Sequence, residues 1–204
     1  MEANPHALDV AQDPNEVFEI MEPPSANFDP YIDAPVSTGT FTSRGVCHEQ
    51  GLWHCSVHIW IVDPSSSSIL LQKRSMKKDT FPGRWDISSA GHVEKGKSLI
   101  ETAQCELAEE LGITVDVGDL QFAFIIPAEQ TPLGGCNAFE HVYFLQGNSE
   151  TKMSLGVEEV SGVSWVSASK LLEALAKGDD NYAPRTEQYC KAMGSFLEKM
   201  LNSN

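Results

Sequence analysis

One stretch in the middle of this chain carries its apolar residues at helical rather than strand spacing. It is residues 98–111, with Ile100, Ala103, Leu107 and Leu111 on one stripe and Gly112 where a helix-ending glycine belongs. The segments around it are of another kind. Residues 54–62 (HCSVHIWIV) are apolar and β-branched, break at Asp63-Pro64, and resume at residues 69–74 (ILLQKR), which predicts a hairpin around a serine turn. Pro82-Gly83 marks a turn before a short strand at residues 85–89. Residues 120–127, 138–145 and 160–166 predict further strands, and residues 167–176 and 186–201 two closing helices. One helix embedded among strands, with two more at the end, predicts an α+β (mixed α/β) fold. It excludes a helical bundle and a regular βαβ repeat.

The embedded helix holds its acids at a cost. Glu106, Glu109 and Glu110 are spaced i, i+3, i+4, so they share roughly 100° of arc beside the apolar stripe. They repel one another and sit near the helix C-terminus, where the dipole disfavours anions. Two readings stand at this point: a solvated acidic face, or ligands for a hard divalent cation such as Mg2+, which reverses the repulsion.

Overall charge points the same way. The chain has 14 Lys+Arg against 29 Asp+Glu, a formal charge of −15, which repels phosphate backbones and anionic membranes. Neither nucleic acid nor a membrane is an expected partner, and no apolar run reaches the ~18 residues that span a bilayer. The five cysteines are scattered and odd in number, so reduced thiols in a cytoplasmic protein are the expectation. Residues 1–38 hold eight acids, no Lys or Arg, and six of the eleven prolines. They predict a flexible acidic tail, dispensable for stability, with one short ordered piece at Val17–Met21 able to dock on a sheet edge. The globular domain is expected over residues 39–204.

Gly91, five residues, Lys97, seven residues, and then Cys105-Glu106-Leu107-Ala108-Glu109-Glu110-Leu111-Gly112-Ile113 resemble the Nudix box. Seven of the nine fixed positions of that 23-residue pattern are kept, including both glycines and all three glutamates. The resemblance implies a Nudix fold, with a mixed sheet between helices. It also implies Mg2+ or Mn2+ held by Glu106, Glu109, Glu110 and the backbone carbonyl of Ala90. The activity implied is hydrolysis of a small-molecule diphosphate, such as a nucleoside diphosphate linked to a further group. Two positions depart from the pattern. Lys97 stands where the family has Glu, and Cys105 where it has the Arg that pairs with a box glutamate. Each change is expected to weaken the metal site, by the ~10–100-fold of an outer-shell ligand partner.

The flanks narrow the branch. Gly51-Leu52-Trp53-His54, residues 70–74 (LLQKR), Phe81-Pro82-Gly83-Arg84-Trp85 and Ala90-Gly91-His92 resemble isopentenyl-diphosphate isomerase and the hydrolase domains nearest to it. In the isomerase, histidines matching His54 and His92 bind metal, and a catalytic cysteine stands where this chain has Ala90. His48 lies one residue out of step with a further metal histidine. Without that cysteine, hydrolysis is the leading expectation, a catalytically impaired binding module the second, and isomerisation the third. Among other candidates, Lys73 and Arg74 could meet substrate phosphates, and Trp85 could stack on a base or prenyl chain or lie buried in the sheet. Glu140 is a candidate general base beside the catalytic Glu109 and Glu110. His58 reads as structural, and Glu158 and Glu159 as surface charges.

Overall fold

The computed structural model describes residues 4–8 and 12–202. Strands β1 (Val17–Met21) and β2 (Ser37–Ser43) form an antiparallel pair, followed by a short helix α1 (Arg44–Glu49). The main sheet is built from β3 (His54–Asp63), β4 (Ser68–Arg74), β5 (Trp85–Asp86), β6 (Ser89–His92), β7 (Gln121–Glu129), β8 (Asn137–Gln146) and β9 (Val160–Ser167). Its main path runs β5-β4-β3-β8-β7, with β6 also on β3 and β9 also on β4. β3 and β8 run parallel; the other pairs are antiparallel. Three helices complete it: α2 (Leu99–Leu111), α3 (Ala168–Ala176) and α4 (Glu187–Asn202).

Strand periodicity distributes the core. Along β3, Val57, Ile59 and Ile61 pack with Leu70, Tyr143 and Leu145 under Ala103, Leu107 and Leu111 of α2. Trp60 and Val62 face the other way, with Phe124, Val142 and Phe144 against Leu171, Tyr189, Met193 and Leu197 of α3 and α4. Each fully buried Leu or Ile of these layers contributes about 1.5–3 kcal/mol. The hairpin expected around the serines is present: Asp63 pairs with Ser68, and its carboxylate accepts from Ser65 N, Ser65 Oγ and Ser66 Oγ at 2.9, 2.6 and 2.7 Å. The strand expected at residues 85–89 is instead two short ones. Between them Ser88 Oγ donates to Leu70 O at 2.6 Å and accepts from Ile61 N at 2.8 Å, carrying the chain from β4 across to β3.

Helix α2 begins on a capping box. Ser98 Oγ accepts from Glu101 N and Glu101 Oε2 accepts from Ser98 N, satisfying two end N–H groups. It ends at Gly112, whose φ of 67° is the left-handed turn that glycine adopts without strain.

In the N-terminal segment, β1 spans the residues expected as a short ordered piece, Val17–Met21. Phe18 is 0% exposed, Met21 N donates to Trp53 O, and Lys95 N donates to Val17 O. Strand β1 therefore lies on the body of the molecule, and the expected boundary at 38/39 falls inside β2. Acidity and proline content report how a segment is solvated on average, whereas one Phe buried against Cys47 and Leu52 anchors it. Residues 1–3 and 9–11 of that segment lie outside the described residues.

Candidate active site

The last two turns of α2 carry Glu106, Glu109 and Glu110 against β6. Glu110 is 1% exposed, and its Oε2 accepts from Ala90 N and Gln72 Nε2, both at 3.0 Å. A Cβ at Gly91 would overlap the Glu106 carboxylate, so only glycine lets that side chain lie flat on the strand. Burial, with Glu110 and Glu159 adding like charge, holds Glu106 well above the usual carboxylate range. Burial likewise pushes Glu110 up to about 7. Glu109 is raised as well, by burial, with Lys97 offsetting part of it. Lys78 opposes the rise at both Glu106 and Glu110, but its ammonium is already paired with Glu159. Three hard oxygen donors without enough protein cation match what a divalent ion of the Mg2+ type requires.

Glu106 and Glu109 line a cleft that also holds Arg44, Arg74, Lys78, Arg185 and Glu140. Glu140 sits on β8 in register with Ser56. Its Oε1 accepts from Gln130 Nε2 at 3.0 Å and lies 3.8 Å from His58 Nε2, while its Oε2 is buried without a partner. Burial pushes Glu140 up to about 7, against the guanidinium of Arg185. Asp86 is clamped by Arg74 and Arg185, which hold it below the usual carboxylate range although burial works against its charge.

The substrate contacts expected of residues 73, 74 and 85 divide. Arg74 lines the cleft, with Nε and Nη2 on Thr80 and Nη1 on Asp86. Lys73 and Trp85 do not line it: they are register partners on the other side of the sheet, with Lys73 Nζ 5.7 Å from the centre of the Trp85 ring. Alternation along β4 is the reason, since Gln72 reaches Glu110 and Arg74 the cleft, leaving Lys73 the opposite face. Trp85 is half-buried and packs against the α3/α4 core layer. Glu159, expected at the surface, is buried with Lys78. Arg44, Lys78, Gln130 and Arg185 entered the cleft unforeseen. For Lys78 a signal existed, a Lys-Lys pair in the loop after β4; for the others only folding supplies it.

A second cluster adjoins the cleft. One ligand atom from each of His48, His54, His92 and Cys136 falls within 4.8 Å of the others. His54 Nδ1 donates to Leu52 O at 3.1 Å, which leaves its Nε2 a bare lone pair, buried and without a partner. His48 Nε2 is likewise buried and unpartnered. His92 is set the other way: Arg44 Nη1 donates to its Nδ1 at 3.2 Å, so its Nε2 carries the proton toward Cys136 Sγ at 3.5 Å. Phe18 stacks on both His54 and His92 with ring centres 5.0 Å apart. Burial lowers His48 to about 4 and His54 to about 3, and lifts the Cys136 thiol to about 12, so the cluster is neutral.

Residues 52–187 match the family model described as NUDIX domain. This chain belongs to the Nudix family. It is 36% identical over 164 residues to Nudix hydrolase 3 of Arabidopsis thaliana, an alignment covering 78% of this chain but 21% of that protein. An isopentenyl-diphosphate Delta-isomerase of Serratia proteamaculans is 27% identical over 154 residues, covering 74% of this chain and 82% of that one. The crystal structure of DR0079 from Deinococcus radiodurans shares the fold, with a TM-score of 0.62 at 19% identity, covering 88% of this chain and 98% of that one. Nudix enzymes generally use divalent metals, in keeping with the carboxylate cluster.

Within the Nudix box, Lys97 does not stand unpaired beside the glutamates. Its Nζ lies 2.9 Å from Glu94 Oε1, and Glu94 lines the cleft. A carboxylate three residues upstream thus supplies negative charge near the place where the family has Glu. Cys105 is half-buried, its thiol raised by burial. Among the described residues no helix is long and apolar enough to cross a membrane.

Proposed function

We propose that this chain is a divalent-metal-dependent hydrolase that cleaves a diphosphate linkage in a small molecule, such as a nucleoside diphosphate joined to a further group. The observation that carries this reading is that Glu106 and Glu109 line one cleft while Glu110, buried beside them, accepts from the backbone N–H of the cleft residue Ala90, all three carboxylates being raised by burial. Those three side chains and the Ala90 carbonyl would hold Mg2+ or Mn2+, which when bound neutralises the diphosphate and acidifies the attacking water. Ala90 N and Gln72 hold Glu110 in its rotamer. Water oxygen adds to phosphorus, the bridging P–O bond breaks, and Glu140 Oε2 takes the proton of the water. Arg44, Arg74 and Lys78 give the cleft its anion affinity, Lys78 taking the part first assigned to Lys73.

A panel of nucleotide sugars, dinucleotides and prenyl diphosphates, with Mg2+, Mn2+ or a chelator, tests this. Metal-dependent release of a phosphorylated product is expected, abolished by the chelator. No turnover on any compound would instead favour a Nudix-fold binding module. A second reading is kept for one observation, the histidine cluster, given the resemblance to isomerases that use such histidines. Ala90 lies opposite His58 in the sheet and offers only a methyl group where the isomerase has its proton-transferring thiol. Proton NMR of an isopentenyl diphosphate reaction is expected to show no double-bond migration; migration would reverse the order of the two readings.

A further inference from the structure

Three side chains behind Glu140 are joined in a line that the hydrolytic scheme leaves unused. An indole N–H can only donate, so Trp60 Nε1, at 2.9 Å, makes the Tyr189 hydroxyl oxygen an acceptor. Tyr189 is 0% exposed on α4, and its hydroxyl lies 3.2 Å from His58 Nδ1. The phenolic proton then has one partner among the described residues, and Nδ1 must be the bare nitrogen that receives it. An imidazole whose Nδ1 accepts is neutral and carries its single proton on Nε2. That nitrogen faces Glu140 Oε1 at 3.8 Å, where the N–H acts on the carboxylate through its dipole. Gln130 Nε2 donates to the same oxygen at 3.0 Å. Two donors gather on one side of the carboxylate, and the other oxygen, Oε2, stays buried and unpartnered.

We infer that Tyr189 is a positioning residue: by donating to His58 Nδ1 it fixes the neutral His58 tautomer with the proton on Nε2, which holds Oε1 of Glu140 and leaves Oε2 as its reactive oxygen. Trp60 serves the same end by occupying the acceptor side of the tyrosine oxygen. A tyrosine without that indole could turn and accept instead, and His58 could then carry its proton on Nδ1, away from Glu140. The inference rests on the reading of Glu140 as the group that takes the proton. The arrangement spans elements far apart in the chain, so Tyr189 reads in the sequence only as a core aromatic.

The test uses the full chain labelled with 15N-histidine, whose long-range 1H–15N spectra distinguish the two neutral tautomers from each other and from imidazolium. His58 is expected as the Nε2–H form in the parent and in Glu140→Gln. In Tyr189→Phe the Nδ1–H form should appear, and kcat on the best substrate of the panel should fall roughly tenfold with KM within about twofold, the scale of one lost hydrogen bond. A purely structural tyrosine would leave the tautomer alone. If Tyr189→Phe fails to fold, the parent spectrum still decides: His58 protonated on Nδ1, or on both nitrogens, overturns the inference. So does a folded Tyr189→Phe that keeps tautomer and kcat. Absence of turnover in the parent sinks the hydrolase reading separately, while the tautomer continues to judge this one.

Discussion

The glutamate cluster and the histidine cluster adjoin one cleft and are built in opposite ways. Glu106, Glu109 and Glu110 come from two turns of α2 and crowd like charges into a buried place, so all three are pushed above the usual carboxylate range. His48, His54, His92 and Cys136 come from four separate places in the chain and are neutral, with Phe18 packed on the three imidazole rings and His92 and Cys136 facing the cleft. The first arrangement is strained without a cation and is relieved by one. The second carries no net charge but leaves His48 Nε2 and His54 Nε2 buried without partners, and an ion held by His92 Nε2 would have to displace the Arg44 contact that fixes the proton of that ring. Donor chemistry divides them too: carboxylates suit Mg2+ and Mn2+, imidazole and thiol softer ions.

The largest expected effect strikes the strained side. Glu110→Gln removes a charge from the cluster and should lower diphosphate hydrolysis by roughly 100-fold or more, the scale of a lost electrostatic stabiliser, as read by product release at saturating Mg2+. The same variant should be the more stable one without metal. Glu110 has a folded value of about 7 against an ordinary 4.5, so folding favours its protonated form. Its contribution to stability is complete below about pH 4.5 and is lost as the pH rises through about 7. Thermal melts of the metal-free parent should thus fall across that window and recover on adding Mg2+, and those of Glu110→Gln should show less of both. A parent indifferent to pH and Mg2+ would remove the contrast between the clusters.

The neutral side is broken through the aromatic ring packed on it. Phe18→Ala empties a fully buried site over His54 and His92 and should cost about 3–5 kcal/mol in urea unfolding, as large aromatic truncations do. Deletion through Met21 should cost at least as much, contrary to the tail expected from composition. A loss below about 1 kcal/mol would mean that residues 17–21 contribute little to the fold, as expected of a dispensable tail.

The smallest effect sharpens the strained side. Lys97→Glu with Cys105→Arg restores the family box, and the added negative charge should raise hydrolysis at limiting Mg2+, by at most about tenfold per position. Glu94 already supplies a carboxylate beside Lys97, which places the gain at the low end of that scale. Turnover of the parent, both singles and the double at low and saturating Mg2+ measures it. A parent as fast as the double throughout would mean that Glu94 compensates fully.

Those effects track what could be read before folding was known. The α2 cluster was legible because it is local: a 3.6-residue period puts positions 106, 109 and 110 on one edge whatever surrounds the helix. Strands β3, β4, β7, β8 and β9 were legible for a like reason, alternation or a β-branched run ending at turn residues. Lys73 could not be told from Arg74, because a pair of adjacent cations looks alike until strand register assigns them opposite faces. Trp85 was equally ambiguous, since a large aromatic on a strand serves a core and a ligand alike.

The sequence by itself determined the layers of this protein, its embedded helix, its Nudix membership and the three carboxylates that ask for a cation. The helix and the carboxylates follow from spacing within a short window, and the family from the resemblance of the box that contains them. Only the tertiary structure decided that Arg44, Lys78 and Arg185 enter the cleft, that Glu140 keeps an oxygen unpartnered there, and that His48 and Cys136 join His54 and His92 in one cluster. Those relations join residues far apart in the chain, and they are set by sheet register and by burial. Burial in particular turns ordinary side chains into neutral or protonated ones, an effect of the surroundings that no local pattern encodes.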